Sequence, residues 1–429
     1  MIRSIEVLNF RGLRHVKVDL ARFQVLVGPN ASGKSTLFDA LHLIRDALSV
    51  GLEGAIQGDS RHDVPHRASD PRDLTWMRGG GNIEIAVTAD LPDHVRGRLA
   101  RSNGGYSWCR YEIAIDTAGP LRFANETFWI CDESSRPPVA EPPQLDLFPH
   151  AAMPPATIVV PVRKRAPRGW RKVVNKVGET GNDYFYSETS KWNAPFRVGG
   201  ARSALGGLIQ DEEKFPASVW FRGLLMEGVQ RLRLDAEAMR LPSPPSSPRT
   251  FVADGSNLPW VVHELGQRHP ETLREWMGHL RTALPDFDEV RTVERPEDRS
   301  RYLSLRYRSG LEAPSWLVSD GTLRLLALTL LAYLPAPGGI VLIEEPENGI
   351  HPRAVESVYQ SLSSVRERQV FCATHSTVML SLASPEELLC FAKTGAGEVD
   401  IVPGDRHPRL RDWRGAITLG DLFAAGVLG

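Results

Sequence analysis

Residues 28–36, Gly28-Pro29-Asn30-Ala31-Ser32-Gly33-Lys34-Ser35-Thr36, fit the pattern G-x-x-x-x-G-K-[ST]. That loop has a mechanism only between a strand and a helix, and both are legible. Phe23 to Val27 (FQVLV) is an apolar run of the kind found in strands buried on both faces. After Ser35, Leu37, Ala40, Leu41, Ile44 and Leu48 recur at helical spacing. The glycines let successive backbone N–H groups turn inward around an anion. The helix N-terminus adds its positive dipole. Lys34 has the reach for β- and γ-phosphates, and the Ser35 hydroxyl suits Mg²⁺. The predicted architecture is therefore α/β around a parallel sheet.

Three further segments carry chemistry. Ile340-Val-Leu-Ile343 reads as a buried strand that ends in two carboxylates, Glu344 and Glu345, before Pro346. An acid at a strand end can serve a metal shell, and its neighbour can orient water. Strand alternation predicts that the two point to opposite sides. Val370-Phe-Cys-Ala373 is a second apolar run, ending in Thr374-His375-Ser376. Ser319-Asp320-Gly321-Thr322 opens an apolar helix, where an anion site and an ordinary helix cap are both open readings.

Between these segments the pattern changes. Residues 83–130 alternate apolar and polar residues with Gly and Asp punctuation, which predicts an antiparallel meander. Residues 137–155 are proline-rich and read as a loop. Thr157 to Arg163 and Asp183 to Glu188 look strand-like, and Ala217 to Val229 and Leu258 to Gly266 helical. Residues 162–177 hold seven basic side chains and no acid: Arg163, Lys164, Arg165, Arg168, Arg171, Lys172 and Lys176. A basic hairpin with Trp170 near its tip would suit nucleic acid or an acidic partner. A solvated strand face is the competing reading.

Composition narrows the class. The 429 residues carry a net charge of −1, which excludes a histone-like polycation and leaves any nucleic-acid contact to a local patch. Cys109, Cys131, Cys372 and Cys390 are too few and too scattered for a disulfide framework or a zinc site. Reduced thiols in a cytoplasmic protein are the expectation. Arg3, Glu6 and Arg11 interrupt any apolar run at the start, so no signal peptide is expected. The longest apolar stretch, Leu325 to Leu334, is short of the roughly 20 residues that span a bilayer, so no membrane contact is expected.

The order of the four segments is phosphate loop, helix-cap turn, acidic strand end, strand–His. With Asn9-Phe10-Arg11-Gly12 ahead of them, it resembles the ABC-type heads of the RecF, SMC and OLD ATPases. More narrowly, SDGTLRLLALTLL and the ending DWxGxxxLGxLFAxGVLG resemble bacterial stand-alone "AAA family" ATPases of that clan. The resemblance implies an ABC-ATPase head, a P-loop parallel sheet plus an antiparallel β-meander, split by a mixed α+β insertion. Its parts would be 1–98 (head half with the P-loop), 99–300 (meander and insertion) and 301–429 (head half with the signature). It implies ATP and Mg²⁺ as cofactors. Asn30, Gly33, Lys34, Ser35 and Thr36 would bind ATP, with Arg11 near it. Ser35 and Glu344 would serve the metal, Glu345 the attacking water, and His375 would be the switch histidine. Ser319 and Gly321 would form the signature, contacting ATP held by a second copy. Asn348 and His351 fall in the D-loop, where Asp is usual at the position of His351. The chain departs from the family pattern in a Glu rather than Asp at 344 and in a signature unlike LSGGQ. Gln57 fits a glutamine loop poorly.

The insertion lacks heptads, so the coiled coil of SMC-like heads is not expected. After His375 there is no D-x-D cluster, so any nuclease should be a separate chain. The expectation is an ATP-hydrolysing homodimer, the sensor or motor of an anti-phage or DNA-maintenance module. Its effector would come from an adjacent gene, as with a Toprim-like nuclease. The rivals are a slow-turnover, ATP-gated scaffold that cages an effector, and a RecF-like DNA repair ATPase.

Overall fold

Strand follows strand at the start of the chain: β1 (Ile2–Phe10), β2 (Leu13–Asp19) and β3 (Phe23–Val27) precede helix α1 (Lys34–Gln57). Then come β4 (Asn82–Asp90), α2 (Asp93–Ala100), β5 (Tyr106–Asp116), β6 (Arg122–Asp132), β7 (Trp170–Val177), β8 (Asp183–Tyr186) and β9 (Asn193–Phe196). The middle runs α3 (Pro216–Met226), β10 (Val229–Leu232), α4 (Ala236–Arg240), α5 (Leu258–Arg268), α6 (Pro270–Ala283), β11 (Phe287–Glu294), β12 (Arg301–Tyr307) and β13 (Glu312–Pro314). The last part runs α7 (Asp320–Leu330), β14 (Ile340–Glu344), α8 (Pro352–Ser364), β15 (Gln369–Ala373), α9 (Thr377–Leu382), β16 (Leu388–Lys393), β17 (Val399–Pro403) and α10 (Leu419–Ala424). This computed structural model describes residues 1–100, 105–136, 153–160, 166–177, 183–335, 338–410, 413 and 417–427. No helix among them is long and apolar enough to cross a membrane.

Packing divides the chain into two units. The first comprises Met1–Ala21, Pro29–Val229 and Phe391–Val402. The second comprises Arg22–Gly28, Gln230–Cys390 and Pro403–Gly429.

The first unit is built on an antiparallel sheet in the order β2-β1-β4-β5-β6-β7-β8-β9. The meander expected over 83–130 is β4, β5 and β6, with Ile85 opposite Ile113 and Tyr111 opposite Phe128. Helix α3 packs its Phe221 5.9 Å from the Tyr111 ring and 5.2 Å from the Phe128 ring. Buried glutamates hold the loops on this sheet. Glu126, fully buried, accepts from the Tyr111 hydroxyl (2.8 Å), Ser203 Oγ (2.6 Å) and the backbone N–H groups of Ala204 and Leu205. Glu84 takes the N–H of Ile158 (2.7 Å) and Glu112 that of Val160 (3.0 Å). That is why Thr157–Val160, expected as strand, is irregular: its amides go to buried carboxylates rather than to a ladder. Residues 161–163 of that expected strand lie outside the described residues.

The second unit is built on a sheet in the order β10-β14-β15-β3-β16. β14, β15, β3 and β16 pair in parallel, and α8 makes the crossover from β14 to β15. β3 and β15 are buried at every residue, as strands covered on both faces must be. Val25, Val341, Ile343, Val370 and Cys372 join Val261, Trp276, Phe287 and Leu326 in one apolar core. Trp276, fully buried, satisfies its indole N–H on Thr329 Oγ1 at 3.0 Å. Residues 230–300 thus share a core with 301–390, and residue 300 lies within a unit rather than at a boundary. The fold is mixed α/β, a parallel sheet with an antiparallel meander, as the motif order implies.

Candidate functional site

Parallel pairing sets the geometry of the second unit's candidate residues. Glu344 of β14 is in register with Ala373 of β15, and Ala373 with Leu26 of β3. Three adjacent strands therefore end together. One end carries Glu344 and Glu345, the next Thr374 and His375, the third Val27 and Gly28. In open α/β sheets the carboxyl ends of strands form the binding edge.

The loop that leaves β3 has the expected backbone. Gly28, Ala31 and Gly33 have φ of 153°, 60° and 103°. α1 starts directly after Gly33, without a side-chain cap. A Cβ on Gly33 would lie 2.7 Å from Val399 Cγ2, so steric crowding as well as φ demands glycine. Lys34 is buried and its Nζ donates to the Pro29 carbonyl at 3.0 Å. Ser35 and Asn30 are exposed, and Thr36 is half-buried. Arg11 also has a left-handed backbone (φ 49°), and its guanidinium lies 2.9 Å from Asp39 on α1. Asp39 is shared with Arg67 (2.8 Å), which also reaches Asp46 (2.7 Å). The Arg67 and Asp46 side chains are almost wholly buried, so this network ties the Asn9–Gly12 turn to α1.

Alternation does not carry through the acidic pair. Glu344 ends β14, but Glu345 turns into the left-handed region (φ 49°) while its N–H still donates to Ala373 O at 2.7 Å. Strand alternation therefore does not govern the pair: Glu344 is the last residue of β14 and half-buried, and Glu345 lies beyond the strand and is exposed. Glu344 is ion-paired with Arg231 of β10. Thr374, fully buried, donates its hydroxyl to Glu347 at 2.6 Å and accepts the Ser376 N–H at 2.9 Å. This joins the 345–350 loop to the segment that bears His375. The His375 ring lies 6.2 Å from the Phe423 ring of α10.

The signature turn meets the same loop. Ser319 caps α7 through the Thr322 N–H (3.3 Å), so the ordinary-cap reading holds alongside any anion role. A Cβ on Gly321 would lie 2.2 Å from the Gly349 carbonyl oxygen, so the two backbones touch. Arg324 donates to Asn348 O at 2.9 Å, and Arg240 of α4 is ion-paired with Asp320. Asn348 and His351 are exposed; His351 caps α8 by accepting the Arg353 N–H at 3.2 Å, ahead of Pro352 in the first turn.

The basic run divides differently. Arg163, Lys164 and Arg165 lie outside the described residues. Arg168 is exposed in the turn before β7. Arg171 donates to the carbonyls of Ser187, Glu188 and Ser190. Lys172 donates to Asn175 at 2.8 Å and sits 5.0 Å from the Trp129 ring, with burial pulling its pKa down. Lys176, fully buried, donates to the carbonyls of Gly199 and Arg202. Those three cations are engaged inside the fold; β7 pairs with β6 along its length and with β8 at Val174 and Asn175, and Trp170 follows a turn in which its N–H donates to Pro167 O at 3.1 Å.

Arg231, Arg240, Glu347 and Arg67 were missed in the sequence. Arg231 and Glu344 are 113 positions apart, and no local pattern announces such a pair. Taken each by itself, the Ser35 hydroxyl and the Glu344 carboxylate are hard oxygen donors of the kind Mg²⁺ takes. Glu344 already draws one cation, the Arg231 guanidinium.

Comparisons with known proteins agree with the α/β architecture. The model of a family described as "AAA domain, putative AbiEii toxin, Type IV TA system" matches residues 161–381, half of the chain. A model described as "AAA ATPase domain" matches residues 1–61. A search of curated proteins returns no match. Among solved structures, the SmcHead bound to the C-winged helix domain of ScpA is similar at 14% identity. It covers 94% of this chain and 97% of that one, with a TM-score of 0.51, a likeness of fold. The SMC head domain from Thermotoga maritima is similar at 11% identity, covering 94% and 98%, with a TM-score of 0.41.

Proposed function

The chain belongs to this family of AAA ATPase domains and has the fold of an SMC-type ABC ATPase head, and from that premise we propose that it binds Mg²⁺-ATP and hydrolyses it as a nucleotide-dependent homodimer. The observation that carries the reading is the shared end of β3, β14 and β15, where the P-loop, the acidic pair and Thr374–His375 each begin. In this reading Lys34 and the amides of residues 30–36 hold the phosphates, with Arg11 beside them. Ser35 and Glu344 serve Mg²⁺, which would neutralise phosphate charge when bound. Glu345, exposed and free of the strand ladder at its side chain, orients the attacking water and accepts its proton. His375 donates toward the γ-phosphate. Ser319, Gly321, Asn348 and His351 face the nucleotide of the second copy.

The biological role we propose is that of sensor or motor in a bacterial defence or DNA-maintenance module, in the cytoplasm, with its effector on a separate chain. The toxin–antitoxin wording of the family description supports the defence reading. Co-purification with the product of the adjacent gene tests it. A second reading, a slow-turnover ATP-gated scaffold, is favoured by the cation already paired with Glu344. Turnover that stays negligible with the effector present would select it.

The enzyme claim has a direct test. Glu345→Gln should cut phosphate release by about 100-fold or more while leaving ATP binding intact, because only the transition state needs the base. Light scattering should then find an ATP-stabilised dimer. Wild-type protein that neither binds nor hydrolyses ATP would refute the reading.

A further inference from the structure

Glu344 is the acid that ends β14, and Arg231 of β10, the neighbouring strand, donates through Nη2 to its Oε2. Both side chains are partly exposed, 24% for Arg231 and 31% for Glu344. The pair is thus neither a desolvated core bridge nor a loose surface contact. Each partner is carried on a strand of the same sheet, so the backbone positions of the pair are fixed by the ladder. Among the described residues, the ion pair of Arg231 is with this one carboxylate.

We propose that Arg231 is a built-in counter-ion that competes with the divalent metal for Glu344, and so sets the Mg²⁺ concentration at which nucleotide binds productively. The inference rests on the functional reading above, in which Glu344 serves the metal. The physical argument is short. A metal in the Glu344 shell, directly or through a bound water, needs lone pairs on the same carboxylate that Arg231 occupies. Moreover, a guanidinium at contact distance lowers the negative potential that draws a cation to this strand end. Mg²⁺ must therefore loosen the pair or share the carboxylate with it. The competition would hold the acid in place before the metal arrives, at the cost of a higher metal requirement.

The experiment is a Mg²⁺ titration of fluorescent ATP-analogue binding to the full chain, read at equilibrium so that turnover is not needed. Arg231→Ala should lower the Mg²⁺ midpoint by about three- to tenfold, the range open to a partly exposed ion pair. Arg231→Lys, which keeps the charge but not the fork, should fall between. Glu344→Gln should raise the midpoint, and Arg231→Ala/Glu344→Gln should match Glu344→Gln within about twofold, because the effect of Arg231 runs through that carboxylate. A variant that unfolds is recognised by its thermal melt, and the lysine variant then carries the test. A midpoint unchanged or raised in both Arg231 variants overturns the proposal while leaving nucleotide binding established. Failure of the wild-type chain to bind the analogue at any Mg²⁺ concentration overturns both this proposal and the reading beneath it.

Discussion

Gly321 shows how much a single residue can constrain here. Its Cα faces the Gly349 carbonyl so closely that one methyl group would sit 2.2 Å from oxygen. Backbone is not a flexible side chain end, so Gly321→Ala must move α7 or the 345–350 loop. The expected loss is about 1–3 kcal/mol, seen as a lower thermal midpoint. Gly278 in α6 is the control: a Cβ there meets nothing within 4 Å. Gly278→Ala should stabilise by about 0.5–1 kcal/mol through helix propensity. If Gly321→Ala melts as late as the control, the close approach of signature turn and loop is wrong. Residue identities at these sites were legible; their contacts were not. Gly321 reads from sequence as part of a turn, whereas its need to be glycine comes from a carbonyl 28 positions away.

Helix α3 illustrates the element scale. It starts at Pro216 with no side-chain cap from the preceding residue. Its first amides, Ala217 and Ser218, instead donate to Glu188 at 2.6 and 2.9 Å, and Ser218 Oγ adds a third bond. Glu188 is fully buried, and burial raises its pKa to about 7 against these stabilising hydrogen bonds. Below the ordinary carboxyl pKa both folded and unfolded chains hold the proton. Between about 4.5 and 7 the unfolded chain has lost it and the folded chain has not, so stability falls as pH rises through that window. The loss is complete above about 7. Glu188→Gln should flatten this slope, removing up to about 3 kcal/mol of pH dependence in denaturant titrations at pH 4.5 and 7.5. An unchanged slope would show that Glu188 ionises normally in the fold. The helix itself was visible in the sequence from its apolar spacing. Its cap was not, since the carboxylate comes from the loop after β8.

At the scale of the whole molecule, the proposed chemistry needs two copies, because the signature of one is assigned to the nucleotide of the other. ATPase rate per chain should therefore rise with protein concentration and level off well above the dimer dissociation constant. Ser319→Arg, which adds bulk at the exposed cap, should abolish that rise without weakening nucleotide binding to the same chain's P-loop. A rate per chain independent of concentration, with a monomer by light scattering, would remove the dimer from the mechanism. The thiols offer no rival route to association: Cys109, Cys131, Cys372 and Cys390 are all buried and unbridged. Burial raises all four pKa values, that of Cys390 to about 12, so none is poised to react.

Sequence alone determined what is local and periodic. The P-loop, the apolar strands that lead to Glu344 and Thr374, each strand of the meander and the signature helix are written in a dozen or fewer consecutive residues, since strand and helix periodicities are short-range. Their order was enough for the α/β class. Tertiary structure decided everything that depends on partners distant in sequence. It turned Glu345 out of the strand and set Arg231 against Glu344. It also spent Arg171, Lys172 and Lys176 on contacts inside the fold. A cation's role is fixed by what lies within a few ångströms of it, and charge along the chain does not record that. The chemistry proposed for the P-loop, by contrast, rests on backbone amides and one lysine that the motif itself brings together.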